Sequence, residues 1–382
     1  MRHQNSVFHD VVKRVPWAEF ERLVAKHAAD RRVRRLSTKG QFLALLYGQF
    51  SGAASLREIE GGLESHAAGL YHLGARPVAR STLSEANARR PSAVFGELFA
   101  LMAARATGGL RKAIGEAVYL IDATSLRLSG QGSQWAQFSA KVRGAKVHVI
   151  YDADAEQPIY AAVTAAKVND VTAAQQMPIQ AGATYVFDLG YYHFAWWAEL
   201  NAAGCRIVTR FKANTKLEVQ EERALPEGSD ILSDRVGLLP RRQASNRNNP
   251  FADPVREIKI RTETGKELRI LSNDLKASAQ EIADLYKRRW AIELFFRWVK
   301  QTLKIRHFLG TSENAVRIQI AVALIAYLLL RMTQAAQTAV KSPLAFARLV
   351  RANLMHRRRT DSLLKPSPQI VKHTDQLALQ WT

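Results

Sequence analysis

Two apolar runs, each ending in an aspartate, constrain this chain more than any other feature. AVYLIDATSL (117–126) brings Asp122 in after Val-Tyr-Leu-Ile, and ATYVFDLGYYHF (183–194) brings Asp188 in after Tyr-Val-Phe. Short runs of this kind, rich in β-branched and aromatic residues, read as buried strands. A carboxylate at the end of a buried strand is costly to leave unpaired. Each aspartate is therefore either a satisfied turn or cap residue or a ligand for something positive. Around them, SAKVRGAKVHVIYDAD (139–154) and PIYAAVTAAKV (158–168) read as a hairpin. Asn169 and Asp170 open a short helix, HFAWWAELNAAG (193–204) is a helix with a glycine stop, and CRIVTRFK (205–212) is a further strand.

A third acid lies on a helix. The stretch LYKRRWAIELFFRWVKQTLKI (285–305) has no helix breaker, and Ser278 is placed to cap one long helix running through it. At about 100° per residue, Tyr286, Arg289 and Lys300 fall within roughly 40° of Glu293, and Arg297 lies nearby. Leu285, Ile292, Phe296, Val299 and Leu303 form a separate apolar stripe. One face packs into a core, and its neighbour shows a carboxylate among bases and a tyrosine. An isolated helix of this kind could be a plain solvated face with ion pairs one turn apart.

The formal net charge of +21 over 382 residues suits a polyanionic partner, nucleic acid before membrane. The most apolar run, Ile320 to Leu330, is about half of the roughly 20 residues a membrane span needs. The N-terminus has no apolar h-region, so no signal peptide is expected. The single cysteine, Cys205, excludes internal disulfides and a cysteine-based zinc cluster, and fits a reducing cytosol.

Residues 1–110 read as helical. A basic run, Arg31-Arg32-Val33-Arg34-Arg35, precedes a helix capped by Thr38, Ser55 and Glu58 form a capping box, and a third helix opening near Ser81 carries Asn87, Arg89 and Arg90. Three short helices, the last polar and basic, resemble a helix-turn-helix, with a plain helical domain as the alternative. A further helix, 92–107, leads to a break at Gly108-Gly109. Residues 213–275 include a polar, Pro- and Asn-containing loop and then the alternating strands VREIKIRTE and KELRILSND, a β-rich insertion. Residues 341–382 form a basic C-terminal tail.

Asp122, Asp188 and Glu293 from separate elements could converge on hard divalent cations, since Mg²⁺ takes a few carboxylates plus waters and phosphate oxygens. Two such ions suit phosphodiester chemistry. The order strand, hairpin, helix, strand, helix, strand, helix is that of a ribonuclease-H-like fold. His148 and Asp170 fall near the same sheet edge and read as structural rather than as metal ligands.

These residues resemble the DDE transposases of the insertion-sequence 4 family. That family's signature is Tyr, two residues, Arg, three residues, Glu, six residues, Lys, and Tyr286, Arg289, Glu293 and Lys300 match every spacing. Its first aspartate lies in an "IDATSL"-like strand, as Asp122 does, and its second in a "DLGYY"-type turn, as Asp188 does. SLREIEGGLES and RSTLSEANARR look like the helical domain that precedes the catalytic core in one branch.

The resemblance implies an α/β chain. It has a ribonuclease-H-like catalytic core (111–212 and 276–340), a β-rich insertion (213–275) and an N-terminal helical DNA-binding domain (1–110). It implies Asp122, Asp188 and Glu293 as catalytic metal ligands for two Mg²⁺ (or Mn²⁺) ions. Tyr286, Arg289, Lys300 and Arg297 would grip DNA, and Trp290 or Trp298 would stack on a displaced base. It further implies cut-and-paste movement through a hairpin intermediate, acting on double-stranded terminal inverted repeats and target DNA as a homodimer. The setting would be cytoplasmic and nucleoid-associated, with no membrane partner. A metal-dependent nuclease without strand transfer and an inactive, domesticated DNA-binding relative stay open.

Overall fold

The computed structural model describes residues 5–110, 117–129, 131–137, 142–225, 228–241, 248–303 and 308–364. The expected strands form: β1 (Val118–Arg127), β2 (Gly144–Asp152), β3 (Gln157–Ala165), β4 (Thr184–Phe187) and β5 (Arg206–Arg210). The insertion adds β6 (Glu218–Glu222), β7 (Ile231–Leu238), β8 (Val255–Arg261) and β9 (Glu267–Ser272). All join one sheet in the order β3-β2-β1-β4-β5-β9-β8-β7-β6. β1 lies antiparallel to β2 and parallel to β4, with Ile121 opposite Phe187, and β4 lies parallel to β5.

One reading of the insertion needs correction, and one feature of it was not anticipated. The segment read as a polar loop contains β7, whose Ile231 and Val236 are buried. The insertion also continues the main sheet, because β9 pairs antiparallel with β5 at Thr209↔Leu271. A buried bidentate pair, Arg256 to Asp234, ties β8 to β7, and Arg256 also donates to the Ala277 carbonyl ahead of the Glu293 helices.

Alternation along the strands splits the core into two layers. Tyr119, Ile121, Tyr185 and Phe187 face one cluster, with Trp196 and Trp197 of α9 (Phe194–Ala202). Val118, Leu120, Val186 and Val208 face the other, with Ile292, Phe295 and Val299. Asp122 has the parity of Leu120, so it points to the layer that holds the Glu293 helix.

The expected single helix over 278–305 is two: α10 (Ala279–Arg288), capped by Ser278, and α11 (Trp290–Thr302). At the junction, Arg289 N bonds to Tyr286 O and Ile292 N to Arg289 O, one residue short of the α-helical spacing. All five residues of the expected apolar stripe are buried.

The N-terminal helices are α1 (Val7–Val12), α2 (Trp17–Lys26), α3 (Thr38–Ser51), α4 (Leu56–Ser65), α5 (Ala67–Leu70), α6 (Arg80–Arg89) and α7 (Ala93–Leu110). Helix α7 runs through both glycines expected to break it. Ser37, not Thr38, caps α3, and Thr38 instead donates to Asp30. α8 is Asp170–Ala174. Helix α12 (Glu313–Ala335) is long and apolar enough to cross a membrane, yet its apolar window is 78% buried. It packs on α7, α3, α6 and β3, so the N-terminal helices and the sheet share one core. Within the segment read as a tail, α13 (Pro343–Ala352) buries Phe346 and Val350, and Leu354 and His356 carbonyls accept from Phe8 and Val7.

Candidate active site

Asp122 sits midway along β1, which stays partly in the core beyond it through Thr124 and Leu126. Its side chain is 20% exposed and its Oδ1 accepts from Ala123 N at 2.8 Å. Burial, with smaller pushes from Asp188 and Glu293, raises its carboxyl to about 6 against the opposing pull of the Ala123 bond and Arg289. Asp188 follows β4 directly. Its Oδ1 accepts from Gly190 N at 2.8 Å and so caps the turn Leu189–Tyr191. A Cβ at Gly190 would stand 3.0 Å from that oxygen and 3.5 Å from Asp170 Oδ2. The strand expected to end at Asp122 runs on to Arg127, because it stays paired with β2, but its parallel pairing with β4 stops at Ile121↔Phe187. Asp122, midway along β1, and Asp188, just past β4, therefore lie side by side where the two strands part.

Glu293 reaches the same edge from the first turn of α11, and Arg289 joins it to Asp122. Arg289 Nη2 pairs with Glu293 Oε1, and Nη1 stands 4.0 Å from Asp122 Oδ2. Arg289 Nε is buried with no hydrogen-bond partner. Burial opposes the guanidinium charge, but Tyr286, Glu293 and Asp122 together hold it above the ordinary arginine range. Tyr286 is buried under Arg289, whose Cζ lies 5.8 Å from the ring centroid. Burial raises the Tyr286 hydroxyl, with Arg289 and Arg210 pulling it down. Lys300 is half-buried farther along α11.

The two tryptophans separate. Trp290 is 51% exposed, with Arg297 Cζ 5.8 Å from its ring. Trp298 turns inward onto Tyr327, ring to ring at 4.9 Å.

His148 and Asp170, placed near this edge by the sequence, belong to a supporting cluster whose other members, Lys146 and Tyr191, sequence reasoning missed. Lys146 Nζ donates to Asp170 Oδ1 at 2.9 Å and to Val168 O at 3.1 Å. His148 is buried, bonds Thr164 through Nε2, and has Nδ1 3.7 Å from Asp170. Burial lowers its pKa to about 4, so at neutral pH it is an uncharged imidazole and no ion pair. The Tyr191 hydroxyl is buried without a partner and lies in the field of Asp122, Asp170 and Asp188. The "DLGYY" run marks the turn, but nothing local marks Tyr191 as facing three acids.

Among the described residues, no three His, Cys, Asp or Glu side chains stand close enough together to hold an ion as they are. The donor chemistry nonetheless fits a hard divalent cation. The site offers carboxylate oxygens only, they repel one another, and a guanidinium now supplies the balancing charge between two of them.

Residues 114–329, more than half of the chain, match the family described as "Transposase DDE domain". The chain belongs to this family. It is an enzyme, a DDE transposase, and the family implies a ribonuclease-H-like core and dependence on a divalent metal, generally Mg²⁺. Residues 3–76 match a domain of unknown function, DUF4372. Over 295 residues the transposase is 39% identical to a Sinorhizobium fredii protein named as transposase y4zB, covering 76% of this chain and 82% of that one. It is 29% identical over 255 residues to a Geobacillus stearothermophilus protein named as the transposase of insertion sequence element IS5377, covering 66% of each. A structure titled as the piggyBac transposase synaptic complex with hairpin DNA aligns with 96% of this chain and 81% of its own, at TM-score 0.45 and 12% identity.

Proposed function

We propose that this transposase belongs to the insertion-sequence 4 branch and cuts duplex DNA at the terminal inverted repeats of its element, using Asp122, Asp188 and Glu293 as its acids. The observation that carries this reading is their approach from β1, β4 and α11, with Arg289 reaching both Asp122 and Glu293. These acids would hold two Mg²⁺ or Mn²⁺ ions, which when bound would activate an attacking hydroxyl and stabilise the leaving oxygen of a phosphodiester.

The remaining residues handle DNA. Arg289 has a planar fork and an unused buried Nε, which suit a phosphate at the cleaved end once the acids have another counter-charge. Tyr286 offers a hydroxyl and Lys300 a point charge for the same backbone. Trp290, exposed beside Arg297, is the ring available to stack on a displaced base, where stacking is worth about 1–3 kcal/mol. The reaction order is a nick by water, attack of the freed 3′-hydroxyl on the opposite strand to form a hairpin, opening of the hairpin by water, and attack of the 3′-ends on target DNA. Pairing two element ends calls for a homodimer on DNA, and the helical region 1–110 supplies further DNA contacts.

The test is a denaturing-gel assay on duplex DNA carrying the gene's own flanking ends, with Mg²⁺ or EDTA, beside Asp188→Ala. Metal-dependent cuts at the ends with a slow-migrating hairpin, absent from the variant, are expected. Cuts without joined products would reduce the reading to a nuclease, and binding without cutting in any metal would remove the catalytic assignment.

A further inference from the structure

Two of the three residues that suggested a DNA-reading helix are turned inward. Asn87 on α6 and Arg90 at its C-cap are buried. Gln41 donates to Asn87, Arg90 donates to Gln41 and to the Leu36 carbonyl, and Asn314 of α12 caps the Asn87 and Arg90 carbonyls. Arg89 is exposed but paired with Glu85.

A different surface of the same region carries unspent charge. Arg31, Arg32, Arg34 and Arg35 are all exposed in the segment between α2 and α3. A cleft of about 340 Å³ beside them is lined by Arg35, Ser37, Arg76 and Thr82. A second cleft, about 490 Å³, is lined by Ser55, Arg57, Arg80, Ser81 and Ser84. The first turn of α6 separates the two, with Ala79 and Thr82 on one side and Arg80 and Ser81 on the other.

Helices α3, α4 and α6 all begin at these clefts, with Ser37 and Ser55 capping the first two, so the remaining first-turn N–H groups add only a little to the arginines, which carry the charge. Ala79, at the N-cap of α6, makes no side-chain cap bond, and Glu60 Oε1 accepts from Arg80 N at 3.1 Å in its place. Among the described residues, none of these arginine side chains has an ion pair or hydrogen bond. Arginines elsewhere on the surface do: Arg22 and Arg105 share Glu19, Arg206 meets Glu281, and Arg317 meets Glu313. The acids that lie among the cleft arginines are spent on the backbone instead: Asp30 accepts from Thr38 N, Glu58 from Ala54 N and Glu60 from Arg80 N.

We infer that this surface clamps the phosphate backbone of duplex DNA, which gives the domain of unknown function at residues 3–76, together with the start of α6, a sequence-independent gripping role. The inference rests on the DNA-cutting reading above. Guanidinium forks, serine and threonine hydroxyls and helix N-termini are the groups that bind phosphate, and no base-reading amide is offered. The second cleft is continuous in sequence with the helix that carries Glu293. Phe308 and Leu309, shortly after α11, line the second cleft, and α11 spans roughly 14 Å from Glu293 to Thr302.

The test is fluorescence anisotropy of the full chain on two labelled duplexes of equal length, one the element's own end and one unrelated, titrated with salt. R31A/R32A/R34A/R35A and R57A/R76A/R80A are compared with wild type, with thermal unfolding as the folding control. Both variants are expected to bind both duplexes about tenfold or more weakly, with a salt slope shallower by about 0.9 per lost phosphate contact and unchanged unfolding. Unchanged affinity and slope in folded variants would overturn the clamp. So would a loss confined to the element's own end, which would mean base reading. Wild-type protein that binds neither duplex would instead remove the DNA-cutting reading.

Discussion

The guanidinium of Arg289 stands 4.0 Å from the Asp122 carboxylate while it pairs with Glu293 one turn along the helix. A short-spaced junction between α10 and α11 puts it there, since the chain bonds at three-residue spacing on both sides of Arg289. Arg289→Ala would leave two repelling carboxylates without their shared counter-charge. Expected are a loss of roughly 1–3 kcal/mol in the metal-free protein and a fall of about 10²–10³ in cleavage rate. Arg289→Lys would restore charge but not the fork, and recover stability better than rate. Denaturant unfolding and single-turnover cleavage measure the two, and wild-type turnover in Arg289→Ala would remove the residue from the site.

Asp122 makes the metal-free protein's stability depend on pH. Its carboxyl moves from an ordinary 3.8 to about 6 on folding, chiefly through burial. The fold therefore holds that proton more tightly than the unfolded chain does. The resulting stability is fully present below about pH 4 and is lost as pH rises through 6. Asp122→Asn is expected to exceed wild type in stability at pH 7 and above, by up to about 3 kcal/mol, with the difference gone near pH 4. Urea unfolding at both pH values in EDTA would show it, and an equal gain at pH 4 would point to another cause.

Gly190 leaves room for the Asp188 carboxylate. An alanine Cβ would stand 3.0 Å from Asp188 Oδ1, tight enough to push the acid aside by a few tenths of an ångström. Gly190→Ala is expected to cut the cleavage rate about tenfold while unfolding stays near that of wild type, because sub-ångström misplacement costs rate before it costs stability. Unchanged cleavage would show that Asp188 tolerates the shift.

Arg90 and its neighbour Arg89 should behave as opposites. Arg90→Ala removes a buried donor to Gln41 and the Leu36 carbonyl, and is expected to cost roughly 2–4 kcal/mol while leaving the DNA affinity of the folded protein intact. Arg89→Ala breaks an exposed pair and is expected to change stability by less than about 1 kcal/mol. Weakened DNA binding by folded Arg90→Ala would return α6 to base reading.

The strands carrying Asp122 and Asp188 were legible because a buried strand is written as a local apolar run. The buried stripe Leu285, Ile292, Phe296, Val299 and Leu303 was legible because helical periodicity repeats every few residues. The β7 strand was not, since Ile231 and Val236 alternate with polar residues in a stretch that also reads as a loop. The Lys146–Asp170 pair and the buried Tyr191 hydroxyl were not, because their meaning depends on residues far away in sequence.

By itself, then, the sequence determined that Asp122 and Asp188 follow buried apolar runs and which residues share one helical face, and that the chain is strongly basic, though not that β1 continues past Asp122 to Arg127. Those properties follow from backbone periods of two and 3.6 residues and from counting charges. Tertiary structure alone decided that Arg289 would bridge Asp122 and Glu293, that the insertion would extend the main sheet through β9, and which arginines are internal cross-links. Arg90 and Arg35 look alike in sequence. One is buried against Gln41 and Leu36, the other lines an open cleft, and only the packing of distant helices tells a spent charge from an available one.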